Sequence, residues 1–347
     1  DYYVEKEYEP YAKEIFGNTP EMMTFFSELT GIKYPWQKYA QIICRDYVSG
    51  AMENTTAVIH AENANQTSGQ LIDENVWENT IAHELIHHWF GDLVTAESWS
   101  NLSMNESFAN YSEYLWFEHK YGKEEADYHR INELNGYLGS IQGGGAHPLI
   151  WFDNPDKEAM FDGHSYNKGG MVLHMLRKYV GDEAFFASLK KYLNDNAYTA
   201  VEAHDLRLAF EEITGQDLNW FFNQWFLEAG HPEMNVNYRF EKDTLFMTLK
   251  QNQDLNIAPL FRLELDIHFY TEGRIDHHKI WVEDQLTVFK FPMKTGPDLV
   301  LVDPDGDLLC LIHDEKPIDA LYYQLTKVNA YAAKRLALES MLDRFDS

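Results

Sequence analysis

Cysteine is scarce in this sequence, with Cys44 and Cys310 the only two among 347 residues. The two lie far apart in the sequence, in segments that we assign to different domains below, so no disulfide framework is predicted. Long apolar runs are also missing, because no stretch reaches the roughly 20 residues that a membrane-spanning helix needs. No signal peptide is recognisable at the start. We therefore expect a soluble protein, cytoplasmic or periplasmic, with no membrane as a partner.

Basic residues are few: 28 Lys and Arg stand against 56 Asp and Glu, which gives a formal net charge of −28. Nucleic acid and anionic membrane surfaces would repel such a chain, so we expect neither as a partner. An acidic field favours cationic substrates, and the α-ammonium of a peptide is one, although solubility alone also explains such a charge. Hydrophobic residues at 45% and aromatics at 15% indicate a folded protein, and the length predicts two or more domains.

What the sequence does contain is a metal-ligand pattern, an H-E-x-x-H run from His83 to His87 followed by Glu106. On a helix the two histidines leave one face a turn apart and can share a tetrahedral ion. Two nitrogen donors and the Glu106 oxygen leave a fourth position open for water, which is the catalytic pattern for zinc. Glu84 lies beside the first ligand, where a general base could reach that water. Glu113, two turns after Glu106 on nearly the same face, could accept a proton from a liganding histidine.

Apolar periodicity supports this placement independently. Residues 76–90 carry apolar side chains at three- and four-residue steps, and Gly91 follows where a helix is expected to stop. A second helix is predicted from about Asn105 to Gly122. Short β-rich runs at 42–44 and 57–59 flank residues 50–54, which places that segment at a sheet edge. Further helices are predicted over residues 19–29, 123–141, 171–179, 183–193, 205–214 and 217–227.

Beyond residue 230 the pattern changes to short alternating runs, which are typical of an antiparallel sandwich. The runs span residues 236–240, 245–249, 260–270, 278–282, 285–291 and 299–302. The histidines of this region, His268, His277 and His278, could form a metal cluster, but two are adjacent and none has helical spacing. We interpret them as surface histidines. From Pro317 onward the periodicity is helical again.

Three motifs, in this order along the chain, resemble the gluzincin zinc aminopeptidase family of aminopeptidase N. They are Gly50-Ala51-Met52-Glu53-Asn54, similar to the family's GxMEN exopeptidase loop; the HExxH run with Asn105-Glu106-Ser107-Phe108-Ala109 around its third ligand; and Tyr166-Asn167-Lys168-Gly169, similar to the family's Y-x-K-G segment. Two departures, Ser107 in place of the usual Gly and His88 before Trp89, touch neither the ligands nor the base.

The resemblance implies an α+β fold. A thermolysin-like zinc peptidase domain would occupy residues 1–230, an antiparallel β-sandwich domain residues 231–315, and the first helices of a C-terminal helical domain residues 316–347. It also implies that the chain is a catalytic-domain fragment. The N-terminal domain and the rest of the C-terminal domain of the full-length protein would then be missing, which puts full activity of the fragment alone in doubt.

The resemblance further implies a hydrolase, a metalloprotease that removes the N-terminal residue from peptides with a free N-terminus. One Zn²⁺ per chain would be held by His83, His87 and Glu106. Glu84 would act as the general base, and Tyr166 would stabilise the oxyanion of the tetrahedral intermediate.

Substrate binding would fall to residues 50–54, with Glu53 accepting the α-ammonium. Ser49 and Phe161 would flank the first side-chain pocket. Two alternatives stay open at this point. One is the related epoxide hydrolase, which tends to carry Gly in place of Ala51, and the other is a catalytically silent scaffold of the same fold.

Overall fold

The structure, a computed structural model, describes residues 1–344 and forms two compact units. One comprises Asp1–Ala126 and Leu149–Phe226, and the other comprises Asp127–Pro148 and the chain from Leu227 onward. The domain boundaries after residues 230 and 315 stay predictions, and residues 345–347 of the third predicted region lie outside the described residues. Within the described part, no helix combines the length and apolarity needed to cross a membrane.

The first unit starts with a small mixed sheet and continues mainly in helices. Its strands are β1 (Tyr2–Tyr3), β2 (Ala40–Cys44), β3 (Ala51–Met52), β4 (Ala57–Ala61), β5 (Val94–Ala96) and β6 (Thr199–Val201). Its helices are α1 (Ala12–Ile15), α2 (Thr19–Thr30), α3 (Glu78–Ile86), α4 (Ser103–Lys120), α5 (Lys123–Gly144, which continues into the second unit), α6 (Gly169–Val180), α7 (Asp182–Asp195), α8 (Ala203–Thr214) and α9 (Asn219–Phe222). Large aromatic side chains fill its core, among them Phe16, Phe26, Trp89, Trp116 and Phe185.

The strand order of the four-stranded sheet is β1-β2-β4-β3, so β3 lies at one edge. Strands β1 and β4 run parallel to β2, whereas β3 is antiparallel to β4, with Ala51 opposite His60 and Met52 opposite Ile59. The segment 50–54 therefore lies at a sheet edge, as the flanking β-rich runs predicted. Helix α2 also follows its sequence signals, because Gly31 ends it in the left-handed conformation.

Helix α3 is shorter than the predicted helix of residues 76–90, because it ends at Ile86. The chain turns away after His87, whose carbonyl accepts the N–H of Asp92 at 2.9 Å, and Gly91 adopts a φ of 145°. Apolar periodicity misled the prediction because the buried aromatic residues after His87 pack in this turn rather than on a helix. His87 itself keeps helical dihedral angles, so its spacing from the first histidine is preserved.

Helices α4 and α6 approach each other closely because α6 begins with two glycines. A Cβ atom on Gly169 would lie 1.7 Å from Ser107 Oγ, and one on Gly170 would lie 2.1 Å from Asn110 Oδ1. The Ser107 hydroxyl also donates a hydrogen bond to the Ser165 carbonyl at 2.8 Å. This crossing holds the segment before α6 against the helix that carries Glu106.

The second unit is rich in strands. Its strands are β7 (Glu233–Phe240), β8 (Thr244–Gln251), β9 (Leu263–Thr271), β10 (Arg274–Val282), β11 (Leu286–Pro292), β12 (Leu299–Val302) and β13 (Leu311–His313), and two helices follow, α10 (Ile318–Lys327) and α11 (Tyr331–Asp343). They form a three-stranded sheet in the order β10-β9-β12 and a four-stranded sheet in the order β11-β8-β7-β13. The pairs are antiparallel as predicted, except that β13, which the sequence analysis missed, runs parallel to β7. The predicted α+β class is confirmed.

The close crossing of α4 and α6 generates a stability prediction. Gly169→Ala should lower the free energy of unfolding by about 1–3 kcal/mol, the cost of overpacking a filled contact. Ser107→Gly in the same chain removes the two nearest clashing atoms, so the double variant should recover part of the loss. Urea or thermal unfolding, followed by circular dichroism, measures both changes.

The matched control is Gly139→Ala within α5. No described atom outside the local chain lies within 4 Å of a Cβ built there. Alanine should therefore be neutral at this position or stabilise the helix by up to about 1 kcal/mol. A Gly169→Ala chain as stable as Gly139→Ala would contradict the tight crossing.

Candidate metal centre and active site

His83, His87 and Glu106 come together in the first unit and are called the His83 group below. Glu106 Oε2 lies 3.3 Å from His83 Nε2 and 3.4 Å from His87 Nε2. Tetrahedral zinc with ligand bonds of about 2.0–2.1 Å separates its ligand atoms by roughly 3.3 Å. All three residues are buried. Two imidazoles and one carboxylate at these separations fit a catalytic zinc site.

The outer nitrogens of both histidines are held by acceptors. His83 Nδ1 donates to Glu113 Oε1 at 2.8 Å, and His87 Nδ1 donates to the Phe90 carbonyl at 3.0 Å. Asn79 in turn donates to the second oxygen of Glu113 at 2.9 Å. With protons on Nδ1, both Nε2 lone pairs remain available to a metal, which is the arrangement that second-sphere partners impose in zinc sites.

The charges around the His83 group favour a cation. Burial alone would lower the pKa of His83, but hydrogen bonds with Glu106 and Glu113 raise it well above its usual value. For His87 burial acts in the same direction, yet the carboxylates of Glu53 and Glu106 raise its pKa to about 9. Burial opposes ionisation of Glu106, but both histidines hold its pKa well below the ordinary range. A bound metal ion would satisfy the same carboxylates in place of these protons.

Glu84 lies next to the His83 group without belonging to it. Burial raises the pKa of its carboxyl to about 7, against the opposing effect of His83 and His87. Its Oε2 atom is buried and has no hydrogen-bond partner among the described residues. A carboxyl whose pKa lies near neutrality can both take and return a proton, which is what a general base that later acts as an acid requires.

Tyr166 lies in a π-helical turn, His164–Lys168, immediately before α6. Such turns are rare and are frequent at functional sites. The Tyr166 ring stacks on the imidazole of His83, with 5.9 Å between centroids and 11° between planes. Burial and then the Glu106 carboxylate raise the pKa of its hydroxyl, so it stays a protonated donor.

The segment from Gly50 to Asn54 lies at the β3 edge, and Glu53 is its only charged member. Burial has the largest effect on the pKa of His87, Glu84 and Tyr166, lowering the first and raising the other two. The negative charge of the Glu53 carboxylate raises the pKa of all three groups. Gly50 accepts the N–H of Ala61 at 2.8 Å, and Asn54 accepts that of Ala57 at 2.8 Å. The segment thus presents a carboxylate beside the His83 group.

The two predicted pocket residues are not tied to this group in the described structure. Ser49 is exposed, and Phe161 is 44% exposed with its ring against Trp99 at 5.8 Å. No hydrogen bond or ion pair within residues 1–344 links either one to the His83 group. Their role in a side-chain pocket stays a prediction.

His88 is a site residue that the sequence analysis set aside as a harmless departure. It is fully buried, and its Nε2 accepts the backbone N–H of Thr56 at 3.0 Å. Its Nδ1 donates to the Glu84 carbonyl at 3.3 Å, and burial lowers the pKa of the ring to about 4. His88 therefore joins the turn after α3 to the segment that follows Asn54. No sequence pattern near His88 predicts this contact. Asn79, which donates to Glu113, could have been predicted as a site residue because it lies one helical turn before His83.

Comparison with known proteins extends these observations. Residues 15–225, more than half of the chain, match the family model described as the peptidase family M1 domain. The chain is 34% identical over 249 residues to tricorn protease-interacting factor F2 of Thermoplasma acidophilum, which covers 68% of this chain and 31% of that protein. It is 32% identical over 242 residues to aminopeptidase N of Lactococcus lactis, covering 66% of this chain and 28% of the relative. The chain thus matches about a third of the length of these curated relatives.

A solved structure agrees in fold. The crystal structure of Legionella pneumophila aminopeptidase A in complex with aspartic acid superimposes with a TM-score of 0.84, covering 99% of this chain and 40% of that one. Sequence identity to that protein is 19%, so this likeness concerns the fold alone. It supports the predicted layout of a thermolysin-like peptidase domain, a β-sandwich and C-terminal helices. By its motifs and its family match, the chain belongs to peptidase family M1, the gluzincin aminopeptidases.

Proposed function

We propose that this chain is the catalytic part of a zinc-dependent aminopeptidase, which hydrolyses the N-terminal residue from peptides with a free α-amine. The observation that carries the proposal is the arrangement of Glu84, Tyr166 and Glu53 around the His83 group. A metal-ligand set, a carboxyl with a pKa of about 7, a protonated phenol and a further carboxylate meet there. Membership of family M1 supports the same activity.

His83, His87 and Glu106 would hold one Zn²⁺. Bound zinc would supply Lewis-acid polarisation of the scissile carbonyl and would lower the pKa of water at the site toward about 7. The donor set supports this choice, because imidazole and carboxylate ligands in a tetrahedral arrangement with one open position are typical of catalytic zinc. Glu113 and the Phe90 carbonyl would keep the two histidines in the liganding tautomer.

The proton transfers fall to Glu84. As a carboxylate it would take a proton from the attacking water, and as a carboxylic acid it would return that proton to the leaving amine. Tyr166 would donate its hydroxyl hydrogen to the oxygen that becomes negatively charged in the tetrahedral intermediate. Its raised pKa supports this role, because the phenol remains protonated throughout the neutral range.

Recognition of a free N-terminus would fall to Glu53, whose carboxylate would form a charge-assisted hydrogen bond with the substrate α-ammonium. The edge position of β3 supports an extended peptide that pairs with the backbone of residues 50–52 as an added strand. Glu53 lies one residue beyond the paired backbone. A peptide whose α-ammonium binds Glu53 would therefore place its N-terminal residue, and not an internal one, at the reacting centre.

Glu84→Gln should keep the zinc content of the parent and lose turnover of an aminoacyl chromogenic substrate by about 10²–10⁴-fold, the usual size of a general-base contribution. Glutamine preserves the shape of the side chain but cannot hold the transferred proton. Zinc content is measured by mass spectrometry and turnover by absorbance. Glu97→Gln, an exposed site in the same unit, is the control and should behave as the parent. Unchanged turnover in Glu84→Gln would show that another group activates the water.

Tyr166→Phe should lower kcat by about 10²–10³-fold, as loss of one oxyanion donor does, with little change in KM. The ring and its stacking on His83 remain, so the melting temperature should stay near that of the parent. Tyr198→Phe, at a side chain that is 73% exposed, is the matched control. A nearly normal kcat together with a lowered melting temperature would mean that Tyr166 is a core residue with no catalytic role.

Glu53→Ala should reduce cleavage of peptides with a free amine far more than hydrolysis of the same peptides after N-acetylation. The physical reason is that only the free peptide offers an ammonium group to the lost carboxylate. Mass spectrometry of the products gives the ratio of the two rates. Glu62→Ala, which removes an exposed carboxylate just after β4, should leave that ratio unchanged. The exopeptidase assignment fails if Glu53→Ala also leaves it unchanged.

A further inference from the structure

A second group of side chains that can bind a metal ion lies in the second unit, on two neighbouring strands. Asp266 and His268 are two residues apart on β9, so both side chains leave the same face of the sheet. His277 on β10 is directly opposite His268 in the strand register. These three residues are called the His268 group below, and one ligand atom from each lies within 4.8 Å of the others.

The separations within the His268 group are close to those of a metal site. Asp266 Oδ2 lies 3.4 Å from His268 Nε2, and His277 Nδ1 lies 2.8 Å from the same nitrogen. Ligand atoms of a tetrahedral ion with bonds of about 2.0–2.1 Å are roughly 3.3 Å apart. The first separation already matches. A rotation of the exposed His277 ring would widen the second separation by the about 0.5 Å that it needs.

The charges around the His268 group suit a cation between its ligand atoms. The two imidazoles are in direct contact, with 4.0 Å between ring centroids, so a positive charge on both rings would be repulsive. The Asp266 carboxylate, 3.4 Å from His268 Nε2, carries a negative charge that an ion between the rings would neutralise. The ammonium group of Lys279, which is opposite Asp266 in the strand register, pairs with Glu264 at 3.2 Å.

The position of His278 shows why the sequence did not predict the His268 group. It follows His277 directly, and strand alternation sends its ring to the opposite face, against Phe269 at 5.0 Å and Phe291 at 5.2 Å. The adjacent pair therefore never shares a ligand. The partner of His277 comes instead from the neighbouring strand, nine residues earlier in the chain.

We propose that the His268 group is a second site for a divalent transition metal of the zinc class, separate from the His83 group. Two imidazoles and a carboxylate suit Zn²⁺, and Ni²⁺ or Cu²⁺ would compete for them. The ligands come from both strands of the β9–β10 hairpin, so the ion ties the edge strand β10 to β9. Binding to the folded state alone stabilises the second unit in proportion to the logarithm of the free metal concentration.

Zinc stoichiometry tests the proposal. The full chain, without a histidine tag, is dialysed against buffer at micromolar free Zn²⁺, and bound zinc is measured by mass spectrometry. The parent should hold two zinc ions per chain, His277→Ala one, and His83→Ala/His87→Ala one. Combining the three substitutions should leave none. His278→Ala, on the same strand but the opposite face, is the control and should still hold two.

Affinity gives a second measurement. In the chain that lacks His83 and His87, His277→Ala should weaken zinc binding at least about tenfold, because even outer-sphere changes cost about 10–100-fold in metal affinity. A parent that holds a single zinc, lost only with the His83 group, overturns the proposal. Weak binding that His277→Ala and His278→Ala reduce equally would identify an adventitious ion only and also overturns it.

Zinc binding at the His268 group can be tested independently of the proposed peptidase function. A chain that keeps one zinc in His83→Ala/His87→Ala and loses it in His277→Ala supports the second site whatever its peptidase activity. If the His83→Ala/His87→Ala chain does not fold, the parent and His277→Ala decide by themselves. His277 is exposed and the β9–β10 hairpin is held by backbone pairing, so we expect the hairpin to stay paired in His277→Ala.

Discussion

The contact between helices α3 and α4 is the constraint on which the functional part of the structure depends. Each helix brings groups that would be costly to bury alone: α3 and the residue after it bring two imidazoles, and α4 brings Glu106 and Glu113. Removing one partner from such a buried set leaves an uncompensated charge, whereas together they satisfy one another. The neighbouring crossing of α4 with α6 extends the same support to Tyr166, because the two glycines let the π-helical turn lie against α4.

Local spacing explains why so much of this site can be predicted from the sequence. His83 and His87 are one helical turn apart, and Glu113 is two turns after Glu106, so helix geometry alone orients them. The edge position of residues 50–54 also follows from the β-rich runs beside them. The positions of the histidines and of Glu113 need only the direction of side chains along one helix.

Features that depend on the pairing of distant elements could not be predicted in the same way. The hydrogen bond from Thr56 to His88 joins the residue before β4 to the turn after α3, and the residues adjacent to either one in the sequence do not predict it. The early end of α3 reflects a turn stabilised by tertiary packing, which apolar periodicity cannot distinguish from a longer helix. The parallel pairing of β13 and the meeting of His268 with His277 depend on strand register, which is set across the sheet and not along one strand.

The two-residue length of β3 has a consequence for how this protein behaves at high concentration. An open strand edge accepts any extended backbone, including that of another copy of the same chain, and long edges are therefore sites of aggregation. A strand as short as Ala51–Met52 offers too few inter-strand hydrogen bonds to hold a second copy by backbone pairing alone. Only an extended segment with an additional point of attachment would remain there, so the shortness of β3 limits pairing of two copies through this edge while keeping the edge open.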